Sequence, residues 1–412
     1  MPRGSNLPAI GVYNQSVVLD AIRRAGGLSR VEIAERTGLT AQTIGKVSRR
    51  LLDDGLISET GTVSNGPGKP RTTLELRAPG RLAVGVHIDP AVLTFVLLDL
   101  RGEVVAHSRA RTPSASRPSQ VIDVVARCVD ELVDASGVDR ARLLGIGIAS
   151  PGPVDVVAGV VLDPPMLPRW RHVPLREALG VATGLPVLLE KDVTAAAATD
   201  LWVHSSETRR NLAFIYYGTG FGAGLVIDDE AVRGAGSNGG NIGHLTVDDG
   251  GPVCPCGRVG CLGQLVTPQA LVLEGIATGA LEAPATPVDE TTDMATVEEA
   301  FRRLAALAEA GEPAAVQVLD RAVQRLARAV VLVVNLLDID EVVFGGPFWP
   351  PIADHVLARL PEQVMGSGAL ISTHPVRFRT SEVGDDVAAV GAACLVLDSA
   401  LSPRPSSMLI SA

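Results

Sequence analysis

Three cysteines, Cys254, Cys256 and Cys261, fall within eight residues, and His244 stands ten residues before the first of them. Thiolate sulfur and imidazole nitrogen are the ligands that Zn²⁺ favours, and a closed set of four suits a structural ion rather than a catalytic one. Gly257, Gly260 and the Cys-Pro-Cys turn let the backbone fold tightly about one point. The remaining cysteines, Cys128 and Cys394, each sit alone in an apolar helical pattern and are not expected to be ligands. The pattern predicts one structural zinc per chain, held by His244, Cys254, Cys256 and Cys261.

A different chemistry is written near the start of the chain. Thr40 is placed to cap a helix over Ala41–Asp53, whose Ile44, Val47, Leu51 and Leu52 face inward. Its outward face offers Gln42, Thr43, Lys46, Arg49 and Arg50. Short polar side chains in the first turn suit base edges, and the later cations suit phosphates. Two helices precede it: Gln15–Arg24, ended by Gly26-Gly27, and a short one through Arg36, opened by the capping box Ser29-Arg-Val-Glu32. Three short helices with a glycine turn (Thr37-Gly38-Leu39) before the last are the layout of a helix-turn-helix. Strands at Leu56–Glu59 and Thr72–Leu76 follow, and the Gly- and Pro-rich run Gly61–Arg71 between them reads as a wing. Lys69 and Arg71 on that stiff segment suit the narrow minor groove of A·T-rich DNA. Residues 1–79 are therefore expected to form a winged helix-turn-helix that binds double-stranded operator DNA.

Charge agrees with that division. Of 36 Lys/Arg and 46 Asp/Glu, residues 1–75 hold ten and seven, leaving 26 and 39 for the remainder, so a head of +3 precedes a body of −13. Only the head is suited to an anionic polymer. With 46% hydrophobic and 20% charged residues over 412 positions, a large core is expected and wholesale disorder is not. The apolar runs are too short to span a membrane, no segment reads as a signal peptide, and thiols poised for a metal fit a reducing cytoplasm. Lysine occurs only at positions 46, 69 and 191.

The body alternates strands and helices. Leu82–Ile88, Leu93–Leu100 and Glu103–Arg109 read as a strand meander, followed by a helix at Gln120–Val133 and a buried strand at Leu143–Ala149. A strand at Pro186–Glu190 leads into a helix at Val193–Val203. A second set starts at Asn211–Tyr217 and Gly222–Ile227, with helices at Pro268–Ala277, Val297–Ala310 and Pro313–Asp338 and a strand at Glu341–Phe344. Pattern alone gives an α/β class.

The stretch Gly240–Leu262, with G-x-I-G-H followed by C-x-C-G-x-x-G-C, resembles the zinc-bearing signature of the ROK family, named for repressors, open reading frames and kinases. The resemblance extends over Val17 to Leu397. It implies an α/β body with a two-lobed, actin-like, sugar-kinase-type fold, lobe 1 at 80–190 and lobe 2 at 191–400 with the zinc site and a closing helix, before a tail at 401–412. It also implies either a sugar kinase or a transcription regulator carrying that body behind a DNA-binding head.

Three places separate these branches. Kinases of the family end the first strand in D-x-G-G-T, and the matching residues here are His87-Ile88-Asp89-Pro90-Ala91. Proline removes an N–H and an aspartate stands where an anion would sit, so ATP and Mg²⁺ are not expected to bind in the family's way. The loop Gly218–Gly224 and the turn Gly345-Gly346 look intact, and are read as relics that hold the fold. At the sugar site, the family's Asn-Asp pair is Lys191-Asp192, its Glu before the zinc histidine is Asn241, and a second Glu is Gly263; the Asn of N-L-P-x-W is Met166. Of the sugar-contacting set, Asp192 and His244 remain.

The expected function is thus a cytoplasmic, non-enzymatic transcription regulator of the repressor type, a homodimer or homotetramer. Its body senses an effector (a sugar, sugar phosphate or sugar acid) through Lys191, Asp192, Asn241 and His244. A sugar kinase with an appended head and a regulator without any ligand are the alternatives. Lys191 itself is open to two readings: an internal pairing with Glu190 or Asp192 that plugs the pocket, or a cation that favours an anionic ligand.

Overall fold

The computed structural model describes residues 7–63, 71–113, 117–165, 167, 169–203, 210–283 and 294–402. Lys69 and most of the expected wing, Met166 and the tail beyond 402 lie outside the described residues.

The head runs α1 (Leu7–Ala25), β1 (Leu28–Ser29), α2 (Arg30–Thr37), α3 (Ala41–Asp53), β2 (Ile57–Val63) and β3 (Arg71–Leu76). The capping box forms: Glu32 N–H donates to Ser29 Oγ and Ser29 N–H donates to Glu32 Oε2 at 2.8 Å. Gly38 closes α2 at φ +69°, a left-handed conformation that costs a residue with a Cβ roughly 1–2 kcal/mol. Thr40 Oγ1 accepts from Thr43 N–H and starts α3. The β2–β3 ribbon is longer than its sequence indicated: pairing continues past a bulge at Glu59/Gly61 as far as Val63↔Arg71. Arg71 is therefore the first residue of a strand, at the base of the wing rather than its tip.

The first half of the body contains β4 (Leu82–Ile88), β5 (Val92–Asp99), β6 (Val104–Arg111), α4 (Pro118–Ser136), β7 (Leu143–Ser150), the small ribbon β8 (Val154–Asp155) and β9 (Val160–Val161), α5 (Leu175–Thr183) and β10 (Val187–Lys191). Their sheet has the order β10-β7-β4-β5-β6, with β4–β5–β6 antiparallel and β4, β7 and β10 parallel. Next come α6 (Asp192–Val203), β11 (Leu212–Tyr217), β12 (Phe221–Ile227), β13 (Glu230–Ala231), α7 (Gly263–Val266), α8 (Pro268–Ala277), α9 (Met294–Glu309) and α10 (Pro313–Leu337). The chain closes with β14 (Glu341–Gly345), α11 (Ala353–Leu357), α12 (Leu360–Met365), β15 (Arg377–Thr380) and α13 (Val387–Leu401). The second sheet, β13-β12-β11-β14-β15, repeats the scheme of an antiparallel meander joined to parallel strands.

Outer helices bury one face of each sheet, α4 and α5 on the first and α8 to α10 on the second. Between the sheets lie α6 and α13, packed backbone to backbone. A Cβ on Gly391 would sit 1.7 Å from Ala195 O, and one on Gly85 or Gly147 would sit 1.9 Å from Ala389 O or Ala392 O. Only glycine permits that approach, so α13 seals the first sheet onto α6. The head is not a separate bead. Val18, Leu19, Ile22 and Leu76 share one apolar cluster with Val96, Leu98, Trp202 and Leu397 of the body. Arg23 spans the junction, donating to Trp202 O at 3.0 Å with its guanidinium 4.4 Å from the indole centroid. Arg24 pairs with Asp229 at 3.1 Å.

Candidate functional site

The metal loop hangs from the turn Ile242–His244 and ends at α7. Short bridges, Thr246↔Cys261 and Val253↔Val259, bring its ends together. Gly260 is obligatory: at φ +69°, its Cβ would fall 1.6 Å from Asp248 O. The donor atoms of His244, Cys254, Cys256 and Cys261 all lie within 4.8 Å of one another. Cys254 Sγ is 3.6 Å from His244 Nδ1, and Cys256 Sγ is 3.6 Å from Cys261 Sγ. A disulfide needs sulfurs about 2 Å apart, whereas tetrahedral arms of about 2.3 Å set sulfur–sulfur edges near 3.8 Å. The donor set fits a tetrahedral metal ion. Cys128 lies in α4 and Cys394 in α13, outside that group.

Beside this loop the two lobes enclose a cavity of about 280 Å³, lined by Gly152, Pro153, Pro165, Lys191, Phe221, Asn238, Asn241, Gly243 and His244. Lys191 is 5% exposed, and its ammonium donates to Asn241 Oδ1 at 2.7 Å, Gly239 O at 2.9 Å and, more weakly, Asn238 O at 3.4 Å. The ammonium itself donates to neither neighbouring carboxylate. Glu190 is held by Arg233 at 2.6 Å and accepts from Lys191 N–H, while Asp192 Oδ1 accepts from Val193 N–H at 2.7 Å. Burial lowers the Lys191 ammonium from its ordinary pKa, opposed by Asp192 and Glu190. Burial raises the Asp192 carboxyl, opposed chiefly by His87. The structure thus brings Lys191, Asn241 and His244 to one cavity, while Asp192 is not part of its lining and couples to His87, Lys191 and Asp89. Asn238 was missed in the sequence. It exchanges two 2.8 Å hydrogen bonds with the backbone of Val154, tying the lobes at the cavity edge. Its only sequence signal was an amide within a run of glycines.

The cleft behind is occupied by protein groups. Asp89 is buried; its Oδ1 accepts from Ala91 N–H at 2.8 Å and its Oδ2 from Thr219 Oγ1 at 3.2 Å. A carboxylate from the first lobe thereby joins the glycine-rich loop of the second. Gly224 of that loop also answers to packing, where a Cβ would lie 2.0 Å from Val193 O, and so does Gly240 outside the loop, where one would lie 1.7 Å from Ala223 O. Tyr216 stands edge-on to His87 at 6.1 Å, and its buried hydroxyl has no partner among the described residues. Burial, with Asp89 and Asp192 nearby, raises that phenol well above its ordinary pKa. Asp89 and Asp192 are coupled electrostatically, and like charges there make a poor seat for phosphate.

On α3, Thr40, Gln42, Lys46, Arg49 and Arg50 are exposed and Thr43 is half-buried, while Ile44 and Leu51 are fully buried. Arg50 leans toward Asp54 at 3.9 Å. The sequence profile of the ROK family matches residues 83–399, and that of a winged helix-turn-helix DNA-binding domain matches residues 14–58. The chain belongs to the ROK family. The xylose repressor of Caldicellulosiruptor bescii is 23% identical over 392 residues, covering 94% of this chain and 96% of its own. A ROK family transcriptional regulator, described as a homologue of the E. coli Mlc protein, superposes with a TM-score of 0.77 at 24% identity over 95% of this chain and 98% of its own. A ROK family glucokinase from Streptomyces griseus, solved with glucose and AMPPNP, superposes with a TM-score of 0.63 at 24% identity, over 76% of this chain and 98% of its own. The winged head followed by an actin-like ROK body is the architecture that the motifs implied.

Proposed function

We propose that this ROK protein is a DNA-binding transcription regulator of the repressor type, acting in the cytoplasm, whose body is a sensor and not an enzyme. The observation that carries this is the capped, solvent-facing α3 with Gln42, Lys46 and Arg49 on its outer face, on a head whose core is continuous with the body. Among the described residues, no helix is long and apolar enough to cross a membrane. The metal is zinc, one per chain and structural, pinning the cavity wall that carries His244. The effector enters the cavity between the lobes. From that wall, α6 runs from Asp192 to Trp202, a rise of about 15 Å, and Trp202 is the residue that grips Arg23 of the head. A change in lobe closure at Lys191 therefore reaches α1 through one helix.

The regulator works as a homodimer or homotetramer, so the operator is pseudo-palindromic, with half-sites about one or two helical turns apart. Steps under the wing are A·T-rich. Operator selection from a random duplex pool followed by gel shift tests this. Lys46→Ala and Arg49→Ala each weaken binding at every sequence and lower the salt slope by about 1. Gln42→Ala changes base preference at one position, a discrimination of about 1–3 kcal/mol. Unchanged affinity and unchanged preference in all three variants would show that α3 is not the reading helix.

A further inference from the structure

We infer that the interlobe cavity takes a negatively charged monosaccharide derivative, a sugar acid or sugar phosphate, with Lys191 as the residue that selects for the charge. The inference rests on the sensor reading above. It starts from the character of the cavity wall, whose lining side chains include one lysine and no carboxylate. The lysine is not held by a counter-ion: its three acceptors, Asn241 Oδ1, Gly239 O and Asn238 O, are neutral. Dipoles solvate a cation without cancelling its charge, so the field of the ammonium extends into the cavity. Glu190 pairs with Arg233 and Asp192 couples to His87 as well as to the lysine, so these two carboxylates offset the ammonium in part without hydrogen-bonding it.

The neighbourhood is shaped around this side chain. A Cβ on Gly152 would lie 3.1 Å from Lys191 Cε, so the stem passes close beside this glycine. Asn238 is fixed by its paired hydrogen bonds to Val154, which holds its carbonyl in place beside the ammonium. Asn241 is exposed and can turn its amide from the lysine to a ligand, freeing an ammonium N–H. At about 280 Å³ the cavity lies at the small end of ligand pockets, which run from roughly 300 Å³ upward. One sugar ring with an anionic group fills it. Asn238, Asn241 and His244 supply the polar rim that hydroxyls need, and the ammonium meets the anion.

The test is calorimetric titration of the full chain with gluconate, glucose 6-phosphate, inorganic phosphate, glucose and xylose, using wild type, Lys191→Met and Lys191→Arg. Lys191→Met keeps the stem and removes the charge, and its melting curve reports whether the fold survives; Lys191→Arg keeps the charge. The expected result is that a sugar anion binds at least tenfold more tightly than its neutral parent. Lys191→Met then loses roughly ten- to a hundredfold for the anion and little for the neutral sugar, whereas Lys191→Arg retains the preference. Equal affinity for neutral and anionic sugars, an unchanged anion affinity in a folded Lys191→Met, or no binding by either sugar anion overturns the inference. Inorganic phosphate binding as tightly as its sugar ester also overturns it, because the site then recognises phosphate alone. Gel shift without ligand separates the two levels: operator binding with no anion binding defeats this inference only, and no DNA binding defeats the regulator reading.

Discussion

Replacing Cys261 by serine is expected to drop bound zinc from one per chain to below about one tenth, and to lower the melting temperature by about 10–20 °C. The serine oxygen is a weak ligand at neutral pH, and a three-donor site leaves the ion exposed to water. Structural zinc is worth about 10–16 kcal/mol in isolated finger peptides. Here the loop is also held by two backbone bridges of its own, Thr246↔Cys261 and Val253↔Val259, so a loss on the order of 5 kcal/mol is expected, at about 2–4 °C per kcal/mol for a domain of this size. The damage should spread to the cavity, because His244 belongs both to the donor cluster and to the cavity wall. Metal analysis and thermal melting of Cys261→Ser, with Cys128→Ser and Cys394→Ala as controls that keep their zinc, decide the matter. Full occupancy with an unchanged melt in Cys261→Ser would remove the metal from the account.

The second large effect is an absence. With ATP, Mg²⁺ and glucose, xylose or other hexoses, the protein is expected to release ADP at less than about 10⁻³ s⁻¹, where sugar and protein kinases turn over at roughly 1–100 s⁻¹. Phosphoryl transfer depends on positioned donors around the phosphates. At the corresponding turn Asp89 presents a carboxylate, its two oxygens engaged by Ala91 N–H and Thr219 Oγ1. Pro90 brings no N–H. Asp89→Gly removes the carboxylate yet leaves Pro90 and His87 in place, so this variant is expected to stay inactive too. A coupled ADP assay showing sugar-dependent turnover near 1 s⁻¹ in the wild type would restore the kinase reading. The same geometry gives Asp89 another role: its hydrogen bond to Thr219 joins the two lobes at this turn.

Much of the molecule was legible without coordinates where the deciding physics is short-range. The capping box at Ser29 and Glu32, the glycine stop at Gly38 and the inward stripe of Ile44 and Leu51 depend on neighbours three or four residues away, and helical periodicity exposes them. The donors of the metal loop lie within eighteen residues of one another in the chain, so type and spacing were enough to name them. The β2–β3 ribbon was underestimated because strand pairing depends on the partner strand, and Gly61 looked like a loop residue until the bulge placed it in register.

What only the tertiary structure decided are the contacts made across long separations. Lys191 had two open readings because a residue at a strand end can point either way. Contacts with Asn238, Gly239 and Asn241, nearly fifty residues on, settle where its ammonium goes. The pairing of Asp89 with Thr219 spans 130 positions, and that of Arg23 with Trp202 spans 179. Neither has a periodicity or motif to announce it. Gly224 was read as part of a relic loop, while Gly85 and Gly147 lay unremarked within expected strands and Gly391 carried no signal of its own. Their reason is the near contact of backbone with backbone as α6 and α13 pack between the sheets. Local sequence carries caps, stripes and ligand spacing because those interactions are encoded within one or two turns of chain. A pocket's charge and a head's attachment emerge only when distant segments are brought within a few ångströms, where burial and hydrogen bonding choose among conformations that the local sequence leaves equal.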